Sequence, residues 1–340
     1  MGTPEAPTLL AHEPVTWQHH LRDCIRDGAA LLTALGLSPE QCRWSVEAAQ
    51  QFPVRVPLPF LQRMRFGDSN DPLLRQVLAS PEETLPVPGW QTDPLEEAAA
   101  NPVPGLIHKY QGRVLLLPTS ACAINCRYCF RRHFPYADNR LSGDALTSAI
   151  DYIRADTSLS EVILSGGDPL VLQDSALEQL LHQLAAIPQL QRVRLHSRLP
   201  VVIPERITDE LLSILSASRL RPIMVIHCNH PNEVDGHLAN ALNRLRQVGI
   251  PLLNQSVLLQ GVNDDIETLA ALQETLFNVA GVLPYYLHLP DKVAGTAHFE
   301  VSASKGQQLV NALRDRLPGY LVPRLAREMP GEEAKRVLAS

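Results

Sequence analysis

Three of the chain's six cysteines, Cys122, Cys126 and Cys129, fall within eight residues in the pattern C-x3-C-x2-C. Thiolates this close on one loop bind metal or do redox work when their compartment keeps them reduced. Two chemistries fit the spacing. A cubane iron–sulfur cluster takes one thiolate per iron, so three cysteines would leave one iron open to a substrate or cosubstrate. A tetrahedral zinc could instead take the three thiolates together with His133, four residues further on. In a second segment, Ser165-Gly166-Gly167-Asp168-Pro169, the glycines would let backbone groups approach a ligand closely. Read alone, that segment is equally an ordinary turn. Lysine chemistry has few candidates, because only Lys109, Lys292, Lys305 and Lys335 occur among the 30 basic residues.

Composition narrows the class. The 340 residues are 45% hydrophobic and 19% charged, which supports one large domain or two modest ones and is too apolar for disorder. A formal charge of -6 removes the electrostatic reason to expect a nucleic-acid partner. No apolar run approaches the roughly 18 residues of a membrane helix. The N-terminus lacks the basic flank and apolar stretch of a signal peptide, so a cytoplasmic chain with reduced thiols is expected.

The elements that must position these residues differ along the chain. Residues 1–100 read as a helical N-terminal region, helix-like over 16–37, followed by a wrapping linker punctuated by prolines from Pro53 to Pro88. From Val114 onward, six apolar runs at 114–117, 162–164, 193–196, 223–227, 252–258 and 285–288 alternate with helical patterns. Ser175 with Glu178, and Asp264 with Glu267, have the spacing of capping boxes at two helix starts. The repetition predicts an α/β fold, a partial (βα)6 TIM-like barrel over 101–325, with a C-terminal segment at 326–340. Chemistry in such barrels sits at the C-terminal ends of the strands. The polar clusters fall there: the cysteine loop after the first run, Gly-Gly-Asp-Pro after the second, then His196-Ser-Arg198, His227-Cys-Asn-His230-Pro-Asn232-Glu233, Asn254-Gln255, Tyr285-Tyr286 and Asp291.

The cysteine loop after a first strand resembles the radical S-adenosylmethionine superfamily. The ordered series of strand-end residues, with Arg127-Tyr-Cys129-Phe-Arg131-Arg132, resembles the lysine 2,3-aminomutase family over roughly residues 71–335. The resemblance implies that Cys122, Cys126 and Cys129 hold a [4Fe-4S] cluster whose fourth iron chelates S-adenosylmethionine. Reduction by an external one-electron reductant would then release a 5'-deoxyadenosyl radical. It also implies that Ser165, Gly166, Gly167 and Asp168 bind the amino group of S-adenosylmethionine.

Moving an amino group from C2 to C3 of an unactivated amino acid removes a hydrogen that no side-chain base can take, hence the radical. The migrating nitrogen needs a conjugated carrier, pyridoxal 5'-phosphate on a Schiff-base lysine. By resemblance that lysine is Lys335, after Pro330-Gly331, with Glu332, Glu333 and Ala334 standing where the family has a run of glycines. Lys109 and Arg113 take the positions of the family's phosphate-binding residues, and Gln255 is a further cofactor contact. Arg131 corresponds to the arginine that pairs with the substrate carboxylate. Asp291 and Glu328 correspond to the two acids that take the distant ammonium, although the family more often has Asp at the second. Within the family, the chain resembles bacterial members that supply (R)-β-lysine for modification of elongation factor P by its ligase. Two other readings stand beside this one: an aminomutase acting on arginine or glutamate, and an interaction protein with a structural Cys3His zinc.

Overall fold

A computed structural model describes residues 15–340. The start of the expected 1–100 region, including the stretch read for a signal peptide, lies outside the described residues. Nine strands form one sheet in sequence order: β1 (Leu106–Tyr110), β2 (Arg113–Thr119), β3 (Glu161–Gly166), β4 (Arg192–Ser197), β5 (Arg221–Ile226), β6 (Leu252–Val257), β7 (Leu283–His288), β8 (Arg324–Arg327) and β9 (Arg336–Ala339). Neighbours from β2 to β8 pair in parallel, and β1 and β9 add antiparallel edges. Seven helices, among them Asp144–Ala155, Asp174–Ala185 and Ile266–Ala280, lie in the six crossovers between the seven parallel strands. The open strand order is that of a partial barrel of six βα units. None of the described helices is long and apolar enough to cross a membrane.

The two faces of the sheet follow from the period of two along each strand. Val114 and Leu116, Val162 and Leu164, Val193 and Leu195, and Met224 and Ile226 join one buried cluster with Leu177, Leu181 and Leu184 of the next helix layer. The alternate positions carry polar groups into the barrel: Glu161 pairs with Arg194 at 3.0 Å, and Gln255 meets His196 at 3.3 Å. All six expected strands are present. The sequence patterns missed β1, β8 and β9: the two antiparallel edge strands and the last parallel one, of which β8 and β9 are only four residues long.

Both capping boxes are corrected. The helix Ile266–Ala280 is capped by Asp265, whose side chain accepts from the Thr268 N–H at 2.8 Å, while Asp264 accepts from the Gly261 N–H at 2.7 Å and pairs with Lys305. Ser175 lies inside the helix Asp174–Ala185, whose N-cap, Gln173, makes no side-chain cap bond. The Asp174 carboxylate is engaged by Arg206 at 2.7 Å. The helix-like stretch at 16–37 divides into Trp17–Arg22 and Gly28–Ala34.

The proline-rich linker wraps the barrel and inserts acids into it. Glu83 is fully desolvated against two arginines of the cysteine loop, 2.8 Å from Arg127 Nε and 2.9 Å from Arg132 Nη2. Arg127 also donates to the Phe52 carbonyl at 2.6 Å, so the loop is bolted to the N-terminal region on its far side.

Candidate active site

The cysteine loop starts where β2 ends. Cys122, Cys126 and Cys129 are half-buried, whereas Cys24, Cys42 and Cys228 are buried. Burial pushes the Cys129 thiol up to about 11, with a further push from the neighbouring Cys126. Cys122 is raised by burial and by the nearby Cys129, Asp168 and Cys126. Burial that disfavours the thiolates of Cys122 and Cys129 calls for a cation if they are to act as ligands. Among the described residues no group of three or more His, Cys, Asp or Glu is close enough to hold a single metal ion. His133 Nε2 lies 3.1 Å from the Ala294 carbonyl. With His133 engaged elsewhere, the three thiols of one loop are the donor set that a cluster would take.

The segment after β3 is stitched to this loop by the Gly167 N–H to Thr119 O at 3.0 Å and the Asp168 N–H to Ala121 O at 2.8 Å. Gly166 has φ +104°, and a Cβ on Gly167 would lie 2.5 Å from the Ala121 carbonyl oxygen, so both positions require glycine. Asp168 is a tie within the fold. One oxygen accepts from Ser197 Oγ at 2.7 Å and Leu170 N at 3.0 Å, the other from the backbone N–H groups of Arg198 and Leu199, each at 2.8 Å. Its carboxylate joins the ends of β3 and β4 and leaves ligand contact to the backbone beside it.

Arg131 is buried, and its guanidinium is oriented by a residue that carries no signal in the sequence pattern. Glu97 accepts from Nε at 2.8 Å and Nη2 at 2.7 Å, leaving Nη1 near Ser165 Oγ at 3.3 Å. Burial raises the Glu97 carboxyl, but Arg131 and Lys109 outweigh it and hold the group below the usual carboxylate range. From Glu97 an ion chain runs across the barrel. Lys109 Nζ lies 3.4 Å from Glu97 and 2.8 Å from Glu328, and Glu328 also pairs with Lys335. Any role for Lys109 at a phosphate would require it to leave these carboxylates. Arg113 makes no ion pair with the described residues; its guanidinium stacks 4.7 Å over the Tyr110 ring and is free for an anion. Lys292 and Lys305 sit on the surface opposite Glu300 and Asp264, so Lys109 and Lys335 are the two lysines inside the barrel.

Lys335 is not on a loose tail. The segment after β8 turns at Gly331 (φ +75°) and returns as β9, pairing Arg336 with Arg327 and Ala339 with Leu325. Lys335 immediately precedes that strand, and its amine meets Glu328 across the hairpin. Asp291 lies beyond β7, where burial and then the charge of Glu328 push its carboxyl up to about 7. Glu328 is itself held well below the usual carboxylate range, because Lys335 and Lys109 outweigh its burial. Between the two ends, His196 Nε2 is buried without a partner. Burial and the nearby Arg194, Lys335, His288 and Arg131 keep that imidazole neutral. An orphaned nitrogen there, with Gln255 beside it, fits a polar cofactor in the lumen.

Residues 116–272 match the family model of the Radical SAM superfamily, so fold and cysteine loop define a radical S-adenosylmethionine protein. The chain is 48% identical over 336 residues to the L-lysine 2,3-aminomutase of Haemophilus influenzae, covering 97% of this chain and 99% of that one. It is 50% identical to the Escherichia coli protein of the same name, covering 97% and 96%, and 43% identical to that of Buchnera aphidicola, covering 94% of each. The chain belongs to the L-lysine 2,3-aminomutase family, whose members are isomerases that use a [4Fe-4S] cluster, S-adenosylmethionine and pyridoxal 5'-phosphate.

Proposed function

We propose that the chain isomerises L-lysine to (R)-β-lysine, moving its amino group from C2 to C3. The observation that carries the reading is the layout of charge along the barrel: Arg131 beside the cysteine loop, then Glu97 and Lys109, then the acids Glu328 and Asp291. A substrate with a carboxylate at one end and an ammonium at the other matches that order of signs. The side-chain carboxylate of glutamate would face Glu328 and Asp291 and be repelled.

When bound, the cofactors supply a carbon-centred radical and a conjugated carrier for the migrating nitrogen. Cys122, Cys126 and Cys129 would hold the cluster, with electrons from an external one-electron reductant. The backbone at Ser165, Gly166 and Gly167, fixed by Asp168, would line the S-adenosylmethionine. Lys335 would hold the pyridoxal, with Arg113 at its phosphate and Gln255 as a further contact. Arg131 orients the substrate carboxylate, and Glu97 holds the guanidinium edge that the substrate does not need. Glu328, held between Lys335 and Lys109, would take the substrate ammonium together with Asp291.

The reading extends to a cytoplasmic role in which the product is used to modify elongation factor P; the sequence resemblance supports this link. The test incubates anaerobically reconstituted, reduced protein with S-adenosylmethionine and lysine, arginine or glutamate, and resolves the β-isomers by chromatography. Lysine alone should be converted, and (R)-β-lysine should then serve as substrate for the ligase acting on elongation factor P. No isomer from lysine refutes the reading.

A further inference from the structure

Arg198, just past β4, is charged, almost fully buried, and belongs to no part of the substrate or pyridoxal site. Its Nη1 donates to Cys126 Sγ at 2.8 Å and to the Tyr128 hydroxyl at 2.6 Å. Its Nη2 donates to Gln76 Oε1 at 2.8 Å and to Glu233 Oε2 at 3.0 Å. Glu233, fully buried, accepts on its other oxygen from the backbone N–H groups of Asn229 at 3.0 Å and His230 at 3.1 Å, and from Gln76 Nε2 at 3.2 Å. Four parts of the chain thus converge to place one guanidinium on one cysteine sulfur: the wrapping linker, the cysteine loop and the ends of β4 and β5. Packing alone does not call for this, since burying a charged pair costs several kcal/mol per ion where apolar residues would fill the space.

We propose that Arg198 is a positioning residue that tunes the reduction potential of the cluster through Cys126, with Glu233 as its counterweight. The inference rests on the iron–sulfur reading above. Entry of one electron from the external reductant adds one negative charge to the cluster and its thiolates. A permanently charged N–H donor on a ligating sulfur stabilises the reduced form more than the oxidised one, and hydrogen bonds to sulfur are among the levers that set such potentials. The Glu233 carboxylate, one residue layer further out, opposes that effect while fixing the guanidinium. Removing the two charges therefore moves the potential in opposite directions, a signature that simple structural damage does not give.

The experiment is an EPR-monitored redox titration of the reconstituted protein, with iron and acid-labile sulfide measured on every sample. Arg198→Gln should lower the potential and Glu233→Gln should raise it, each by at least a tenfold change in the reduction equilibrium, about 59 mV for one electron. Arg198→Lys, which keeps the charge, should stay closer to wild type than Arg198→Gln. If Arg198→Gln fails to retain its cluster, Glu233→Gln decides: a raised potential supports the proposal, and an unmoved or lowered one overturns it. Shifts of the same sign in the two neutral variants also overturn it. Wild-type protein that takes up zinc and no iron fails at the earlier step and refutes the cluster reading itself.

Discussion

Asp291 offers the most quantitative test of the substrate site. Its carboxyl is pushed up to about 7 by burial and by the charge on Glu328, while Glu328 stays ionised throughout the neutral range. An ammonium gains from Asp291 only when that acid has lost its proton. With a pKa near 7, roughly one molecule in eleven has Asp291 ionised at pH 6 and about ten in eleven at pH 8. The affinity for lysine should therefore fall about tenfold from pH 8 to pH 6, or about 1.4 kcal/mol, and binding near neutral pH should release protons. The same shift makes the folded chain bind more protons than the unfolded one between the ordinary value of 3.8 and about 7, so this group's contribution to stability declines as pH rises through that window. The assay is the pH profile of kcat/KM for lysine beside that of Asp291→Asn, whose amide mimics the protonated acid. The variant should behave at pH 8 as the wild type does at or below pH 6, and its profile should lose the step near 7. Calorimetry of lysine binding without reductant, in two buffers of different ionisation enthalpy, should register the released proton. A wild-type profile flat from pH 6 to 8, or a step of equal size in Asp291→Asn, would falsify the assignment of this acid to the ammonium.

Two further outcomes follow from single side chains. Lys335→Ala should abolish the visible absorbance of lysine-bound pyridoxal phosphate while leaving iron content unchanged; an unaltered spectrum would mean that the cofactor uses another amine. Glu83→Gln removes the acid between Arg127 and Arg132 and leaves two buried guanidinium groups without their carboxylate, which should destabilise the chain by about 3–5 kcal/mol in denaturant titration. A loss under about 1 kcal/mol would show that the cysteine loop does not depend on the linker's clamp.

Residues that carry local pattern are legible in the sequence alone. Apolar runs such as 162–164 and 193–196 become parallel strands with consecutive buried residues, and a run of that kind needs only neighbouring residues to be read. The edge strand β9 is not legible in this way, because Arg336–Ala339 becomes a strand only by pairing with β8 across a turn. Asp168 shows the opposite case: its segment stands out in the sequence, but only the fold reveals that its carboxylate ties β3 to β4 and leaves no oxygen free. Glu97 gives no local signal, being an acid in a loop whose partner Arg131 lies 34 positions away.

By itself the sequence determined the chemistry available to this protein: three thiols in one loop, glycines where a backbone must come close, four lysines and the strand–helix alternation. Spacing and side-chain type set those properties, and both are one-dimensional. The tertiary structure decided which charge faces which. Lys109 meets Glu328 across 219 positions, and Arg198 reaches Cys126 across 72. Such pairs form because the barrel curls its strand ends together and excludes water from between them, so that each buried charge must find an opposite one.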